Sequence, residues 1–136
     1  MRYFMIAFAV VLTACGSGKT NALLQHKKWK VYDVSVPPGD PYNHVQITQA
    51  KDLKSGYYRD VFYQFLDNNL FIATIAGQPD SGRYKLISNG RIISITSPNG
   101  SRDTEHLVEV IKLDEQSFDM KVKSGDYHFI LHTKQP

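Results

Sequence analysis

From residue 61 to residue 134, short stretches of alternating apolar and polar residues follow one another, separated by turn-forming residues. In the stretch 117–123, SFDMKVK, the alternation places Phe118, Met120 and Val122 on one face and charged residues on the other. An alternation with a period of two indicates a β-strand with one buried face. Turn clusters recur about every 8–12 residues, a spacing typical of all-β sandwiches and barrels. The pattern therefore predicts a sheet built from consecutive strands.

Six clusters of turn-forming residues separate these strands, and two of them contain the Asn-Gly pair that favours tight hairpin turns. They are 67–69, 77–82, 88–90, 98–103, 114–116 and 124–126. Connections this short join strands that are antiparallel neighbours. The chain from residue 61 onwards is therefore predicted to form seven consecutive antiparallel strands.

The segment before residue 61 is predicted to contain one further strand and one helix. The stretch 29–36, WKVYDVSV, is rich in valine and aromatic residues, as strands are, and two prolines end it. In the stretch 44–61 the spacing of the apolar residues predicts a helix, and Gly56 either weakens this helix or marks its end. The apolar residues at intervals of three and four are Ile47, Ala50, Leu53 and Tyr57.

The predicted fold is all-β: an eight-stranded antiparallel up-and-down β-barrel with one helical insert after the first strand. Eight strands in a meander would expose two sheet edges, and pairing of the first strand with the last removes both. An eight-stranded barrel is just wide enough either to be filled by its own side chains or to hold one small ligand. The sequence leaves both alternatives open.

Residues 12–20, LTACGSGKT, contain two overlapping motifs. The second half resembles the end of a phosphate-binding P-loop, G-x-x-x-x-G-K-[ST], but Thr13 stands where the first glycine belongs. A P-loop also lies between a strand and a helix of an α/β sheet. The strand-rich remainder of the chain disfavours that scaffold.

The first half of the same stretch resembles the lipobox of bacterial lipoproteins. Arg2 supplies a basic start, and residues 3–12 form an apolar run that is too short to span a bilayer. Two small residues then precede Cys15, the one cysteine of the chain. The resemblance implies cleavage just before Cys15 and attachment of lipid to it.

This interpretation divides the chain into a lipoprotein signal peptide (1–14), a lipidated flexible tether (15–26) and a barrel domain (27–136). Multiple acyl chains on Cys15 would anchor the protein stably to a membrane. No acidic residue follows Cys15 closely. By analogy with lipoprotein sorting, we expect a location in the bacterial cell envelope, at the outer membrane and facing the periplasm.

The charged and chemistry-bearing residues disfavour several classes of function. The 16 Lys and Arg residues are spread out and nearly balanced by 13 Asp and Glu residues, so we expect no nucleic-acid binding. His128 and His132 share a strand face about 13 Å apart, too far to chelate one metal. His106 lies near Glu105 and Glu109 without a nucleophile at a matching spacing. We therefore expect no enzyme, no metal site and no cofactor.

Several segments together resemble a known family, the small lipocalin-like lipoproteins of Bacteroidetes-type bacteria. They include KKWKVYDV, FYQFLDNNLFIATI, SGRYKLISNGRIISIT and HFILHTK, and the likeness covers residues 27–134. Trp29 matches the tryptophan of the Gly-x-Trp segment of lipocalins, and Lys27 stands in the place of the glycine. The resemblance implies a calycin-type barrel with Trp29 packed at its closed end.

The candidate ligand-binding residues are those expected to line the barrel interior. Asp33 is a carboxylate within an apolar strand, and it either lies inside, bonded to a basic residue or a ligand, or faces water. The candidates are Trp29, Asp33, Phe65, Tyr84, Phe118, Tyr127 and Phe129. We hypothesise a barrel that binds a small apolar or amphipathic ligand. The alternative is a filled barrel that acts as a structural or protein-interaction module in the envelope.

Overall fold

The computed structural model describes residues 17–97 and 104–136, and it confirms the predicted fold: a closed antiparallel barrel of eight strands, paired in chain order. The elements are α1 (Ser17–Leu24), β1 (Lys28–Ser35), α2 (His44–Ser55), β2 (Phe62–Phe65), β3 (Leu70–Ile75), β4 (Gln78–Ile87), β5 (Ile92–Ser97), β6 (Thr104–Leu113), β7 (Ser117–Ser124) and β8 (Tyr127–Lys134). The predicted signal peptide 1–14, Cys15 and the predicted turn 98–103 lie outside the described residues.

Antiparallel pairing of β1 with β8 closes the barrel. The register of this pair shifts between Val31 and Asp33, which marks a β-bulge in β1. A bulge sets two residues of one strand against one residue of its partner, and so interrupts the alternation of faces. Val31 and Val34 are consequently both buried, while Tyr32 and Asp33 between them both keep contact with solvent.

Two of the predicted turns owe their shape to asparagine and glycine. Asn68 and Asn69 have φ values of 60° and 59°, and in the turn between β4 and β5 Asn89 and Gly90 have φ values of 58° and 82°. Among residues with a side chain, asparagine adopts this left-handed conformation most readily. The turns at 67–69 and 88–90 are thus confirmed.

The turn between β3 and β4 is shorter than predicted, which corrects the expectation of a turn over 77–82. It consists of Ala76 and Gly77, with φ values of 52° and 77°. A two-residue turn with both φ values positive matches the twist of a hairpin. β4 then runs from Gln78 through Pro79, which lies opposite Thr74 of β3.

Helix α1 packs against one end of the barrel, which corrects the expectation of a flexible tether for these residues. Leu24 is fully buried, and its carbonyl oxygen accepts a hydrogen bond of 3.1 Å from Nε1 of Trp29. The Gly- and Ser-rich composition indicates a flexible segment, but short helices form mainly through tertiary packing. Burial of Leu24 supplies that packing, and we call the end that α1 covers the closed end.

Helix α2 follows Asn43 and its last residue is Ser55, so Gly56 marks the end of the helix, which was one of the two alternatives for this glycine. Ala50 is buried and Leu53 partly buried, as their spacing predicts. Tyr57 was expected on the same face, but its side chain is 55% exposed. Gly56 ends the helix before Tyr57, so the helical spacing no longer determines which way that side chain points.

Candidate functional site

The centre of the barrel is filled mainly by aromatic rings. Trp29, Phe118 and Phe129 are fully buried, and Phe65 is 1% exposed. The ring of Phe118 meets Trp29 edge-on at 5.6 Å between centroids, and Phe65 at 6.1 Å. Edge-to-face contacts of this kind stabilise a core beyond the area that they bury. Trp29, Phe118 and Phe129, predicted as ligand-binding residues, therefore form the packed core.

Tyr84, another predicted ligand-binding residue, belongs to the closed end. Its hydroxyl donates to Oδ1 of Asn21 at 2.7 Å and accepts from Nε2 of Gln25 at 3.1 Å. Its ring packs edge-on against Phe65 at 5.0 Å. Burial raises the pKa of Tyr84, because the phenolate would lose its hydration. Tyr84 thus connects α1 and the segment after it to the barrel wall.

The two remaining polar candidates make polar contacts with α2 or with its capping residue. Asp33 takes the water-facing alternative: its Oδ1 lies 3.3 Å from Nζ of Lys54, and its side chain is 44% exposed. The same oxygen accepts a hydrogen bond from the backbone N–H of Val34 at 2.9 Å. The hydroxyl of Tyr127 accepts a hydrogen bond of 3.1 Å from Nδ2 of Asn43, the residue that caps α2. Both residues therefore connect the barrel wall with the α2 region.

The interior retains one small cavity of about 80 Å³, which we call the interior cavity. Its lining is almost wholly apolar and includes Phe65, the one predicted ligand-binding residue found there. The lining residues are Tyr58, Tyr63, Phe65, Phe71, Ile93, Ile95, Val108, Met120, Val122 and Leu131. Drug-sized ligands occupy pockets of about 300–1,000 Å³. The interior cavity is several times smaller than that.

A larger concave site of about 360 Å³ lies on the flank of the barrel, where β1, the end of β8 and the residues around the end of α2 meet. We call this site the lateral groove. Its walls combine apolar surface with long basic side chains. The lining residues are Lys30, Val31, Tyr32, Lys54, Tyr58, Arg59, Lys134 and Pro136.

The lateral groove has a positive electrostatic character. Among the described residues that line it, four are basic and none is acidic. Lys54 is partly neutralised by Asp33 at the rim, and both side chains remain about half-exposed. Nζ of Lys134 lies 4.6 Å from the ring centroid of Tyr32, so this cation makes a cation–π contact with the tyrosine ring. The groove can therefore offer apolar contact and a positive charge to one ligand.

Tyr58 is shared by the two concave sites, because it lines both the lateral groove and the interior cavity. Burial raises its pKa to about 12, with a further contribution from neighbouring Tyr57. Burial likewise raises the pKa of Tyr63, farther inside. Both phenols therefore remain neutral at ordinary pH, and the positive side chains of the groove have no phenolate beside them.

Sequence reasoning missed a chain of polar side chains on the outer wall. Nε2 of His132 lies 2.7 Å from Oγ of Ser35, and its Nδ1 lies 3.2 Å from Oδ1 of Asp119. The three residues come from β8, β1 and β7, so only the strand register brings them together. The alternation along β7 and β8 could have paired Asp119 with His132. The other two histidines considered, His106 and His128, are exposed.

The alternative function, a protein-interaction module, would require the exposed apolar side chains to form one patch. These side chains lie on separate elements. Tyr42 and Val45 lie near the start of α2 and are 83% and 54% exposed. Leu107 and Ile111 lie on β6 and are 56% and 46% exposed. A protein-docking surface is expected to gather such residues into one contiguous area. The lateral groove is therefore the stronger candidate for a recognition site.

Comparison with known proteins gives no family on which a function could be based, so a function has to be argued from the residues of this chain. A scan against protein families and a search of curated proteins found no match. Within residues 17–97 and 104–136, no group of three or more His, Cys, Asp or Glu residues could hold a metal ion. No helix in these same ranges is long and apolar enough to cross a membrane.

Proposed function

We propose that this chain is a lipocalin-like lipoprotein of the bacterial cell envelope, anchored through lipid on Cys15, and that it binds a small anionic amphiphile. The lipobox-like stretch that ends at Cys15 supports the anchor. The closed eight-stranded barrel is compatible with a lipocalin-like fold. The binding site that we propose is the lateral groove, and the interior of the barrel is its packed support.

The observation that carries this proposal is the contrast between the two concave sites. The lateral groove has about 360 Å³, within the range of small-molecule sites, and the interior cavity has about 80 Å³. A ligand inside the barrel would have to displace several fully buried rings from a close-packed core. A ligand in the lateral groove displaces only solvent.

The composition of the groove determines the ligand chemistry. Val31 and Tyr32 on β1 and Tyr58 after α2 supply apolar contact, which favours a short hydrocarbon or aromatic portion. Arg59 and Lys134 supply exposed positive charge, which favours a carboxylate, sulfate or phosphate group. Each exposed ion pair contributes about 0.2–1 kcal/mol and is weakened by salt. Several such pairs, acting with apolar contact, give binding that is moderate in strength and sensitive to salt.

The test uses isothermal titration calorimetry with decanoate as the probe and decyltrimethylammonium as its cationic counterpart. We expect decanoate to bind at low ionic strength and the cationic probe to bind at least about tenfold more weakly. The double variant Arg59→Ala/Lys134→Ala should bind decanoate about tenfold more weakly than the parent chain, since it loses two exposed ion pairs.

The matched control is the double variant Lys85→Ala/Lys123→Ala. It removes the same net charge from two exposed lysines that lie outside the groove lining. We expect it to bind decanoate within about twofold of the parent chain, because distant charges are screened. Equal weakening in both double variants would contradict a local site. Failure of decanoate to bind the parent chain would overturn the groove proposal and favour the filled barrel as an interaction module.

A further inference from the structure

Three side chains on the outer wall of the barrel form a continuous Ser–His–Asp chain. Oγ of Ser35 lies 2.7 Å from Nε2 of His132, and Nδ1 of His132 lies 3.2 Å from Oδ1 of Asp119. The nucleophile, the base and the group that orients the base are recognised by this geometry and not by their order in the sequence. We propose that Ser35 is an activated nucleophile that undergoes acyl transfer with small, unhindered carboxylic esters.

The hydrogen-bond roles follow from the chemistry of the three groups. An ionised carboxylate can only accept hydrogen bonds, so in the proposed arrangement Oδ1 of Asp119, 3.2 Å from Nδ1, keeps the proton of neutral His132 on that nitrogen. Nε2 is then unprotonated and accepts the hydrogen bond from the hydroxyl of Ser35. This tautomer is the one in which an imidazole can act as a general base toward a serine.

The strand register holds the three groups in place. His132 lies directly opposite Asp119 in the pairing of β8 with β7. On its other side, His132 lies opposite Asp33, at the position where β1 is bulged. The bulge restores an outward direction at Ser35, two residues later, and so brings its hydroxyl to the imidazole. Three adjacent strands thus fix the arrangement without any loop.

The site is shielded and yet within reach of a small reagent. The side chains of His132 and Asp119 are 24% and 16% exposed, so their contact lies largely out of bulk water. Ser35 is half-buried. The ring of Tyr32 stands 6.2 Å from that of His132 and forms one side wall. Because the hydroxyl lies on the outer wall, the substrate is limited to esters that need no deep pocket.

The proposed reaction needs only the ester, water and these residues, and its bonds and protons balance. The Oγ–H proton of Ser35 passes to Nε2 of His132 as the bond from Oγ to the carbonyl carbon forms. When the tetrahedral intermediate collapses, the carbon–oxygen bond to the alcohol breaks, and the leaving alkoxide takes the proton from Nε2. Water, activated by the same nitrogen, then releases the carboxylic acid and restores the serine. Asp119 acts as a positioning residue that holds the tautomer.

The proposal rests on the Ser–His–Asp chain and not on an oxyanion hole, so the expected reaction is slow. Loss of a single oxyanion-hole donor reduces kcat by about 10²–10³-fold in serine hydrolases. A covalent adduct is therefore a sharper readout than turnover. The inference also goes beyond the groove proposal, since it requires no ligand in the lateral groove, and either one can fail alone.

The test is covalent labelling of the purified full chain with a small alkyl fluorophosphonate. Oγ of Ser35 would form a bond to phosphorus while fluoride leaves, and the proton would pass through Nε2 of His132 to solvent. We expect a single adduct by intact-protein mass spectrometry, located on Ser35 by peptide mapping. The variants Ser35→Ala and His132→Gln should each lose at least about 90% of the labelling rate, since nucleophile and base act as a unit.

Two further comparisons separate an activated serine from a merely exposed one. Ser55 is exposed and its hydroxyl donates only to the carbonyl oxygen of Lys51, so it should remain unlabelled in the same sample. Asp119→Asn should slow the labelling of Ser35 at least about tenfold, because the amide permits the wrong tautomer. Thermal unfolding of each variant checks that the barrel persists. Equal labelling of Ser35 and Ser55, or unchanged labelling in His132→Gln, would overturn the proposal.

Discussion

At the scale of single residues, partly buried tyrosines contribute to how the protein responds to alkaline pH. Burial raises the pKa of Tyr58 from its usual value near 10 to about 12, with a smaller contribution from Tyr57. Burial raises the pKa of Tyr63 as well, and again neighbouring tyrosines add to the shift. Unfolding returns both phenols to water, where they ionise normally. The unfolded chain therefore releases these protons at a lower pH than the folded chain.

This difference predicts a loss of stability on the alkaline side only. Because the folded pKa is the higher one, the contribution is fully present below pH 10 and is lost as the pH rises from 10 through 12. We expect the urea midpoint to fall over that interval and Tyr63→Phe to reduce the fall. Tyr42→Phe serves as the control, since its side chain is 83% exposed. A fall of equal steepness in Tyr63→Phe and the parent chain would contradict the assignment.

At the scale of elements, α2 depends on one capping residue that also attaches it to the barrel. Oδ1 of Asn43 accepts hydrogen bonds from the backbone N–H groups of Val45 and Gln46 at 3.0 and 3.2 Å. Its Nδ2 donates to the hydroxyl of Tyr127 at 3.1 Å. The cap thus satisfies donors that the first turn of a helix leaves free, and the amide connects that turn to β8.

Replacement of Asn43 should therefore remove two contributions to stability, the helix cap and the hydrogen bond to Tyr127, and two variants can separate them. We expect Asn43→Ala to lower the free energy of unfolding by about 1–2 kcal/mol, as loss of an N-cap does. Asn43→Asp keeps the capping oxygen and loses only the donor to Tyr127, so it should recover most of that loss. Urea denaturation measures both variants. A loss as large in Asn43→Asp as in Asn43→Ala would show that the cap contributes little.

The elements also show which parts of the structure the sequence can predict. All eight strands and most turns follow from local pattern: strand-forming residues and an alternation of period two, asparagine and glycine at positive φ, and helical spacing up to Gly56. The start of β4 was misjudged because Pro79 suggests a turn, whereas the strand already begins at Gln78 and runs through this proline. Helix α1 was read as a flexible tether because its stability depends on burial of Leu24 against distant residues.

The candidate sites were harder to predict because they depend on register and on unoccupied space. The inward direction of Trp29 and Phe118 follows from alternation, but whether rings meet or leave a cavity depends on packing. Asp33 was uncertain because a bulge, which the local sequence does not announce, reverses the expected face. Ser35 and His132 are 97 residues apart in the chain and meet only through closure of the barrel.

At the scale of the whole molecule, the lateral groove lies outside the barrel wall and is larger than the interior cavity. β2 has only four residues and pairs with β1 over Lys28 to Lys30. Beyond Lys30, the wall beside β1 is continued by the segment after α2, where Val31 donates its N–H to the carbonyl oxygen of Val61. The lateral groove forms at this junction, and the aromatic core behind it leaves only the interior cavity. The groove thus lies beside the short second strand, on the flank of the barrel, and the interior has the smaller volume.

The position of α1 gives the proposed anchor a consequence for the orientation of the whole protein. Cys15 precedes α1 by two residues, and two residues of extended chain span at most about 7 Å. A lipid on Cys15 would therefore hold the closed end of the barrel next to the membrane.

In a bacterial host, we expect labelled palmitate to enter the parent chain and the Ser17→Ala control. Cys15→Ser should take up none and should move to the soluble fraction, since stable anchoring requires the acyl chains. Uptake of palmitate by Cys15→Ser would contradict the anchor, because the sequence contains no second cysteine.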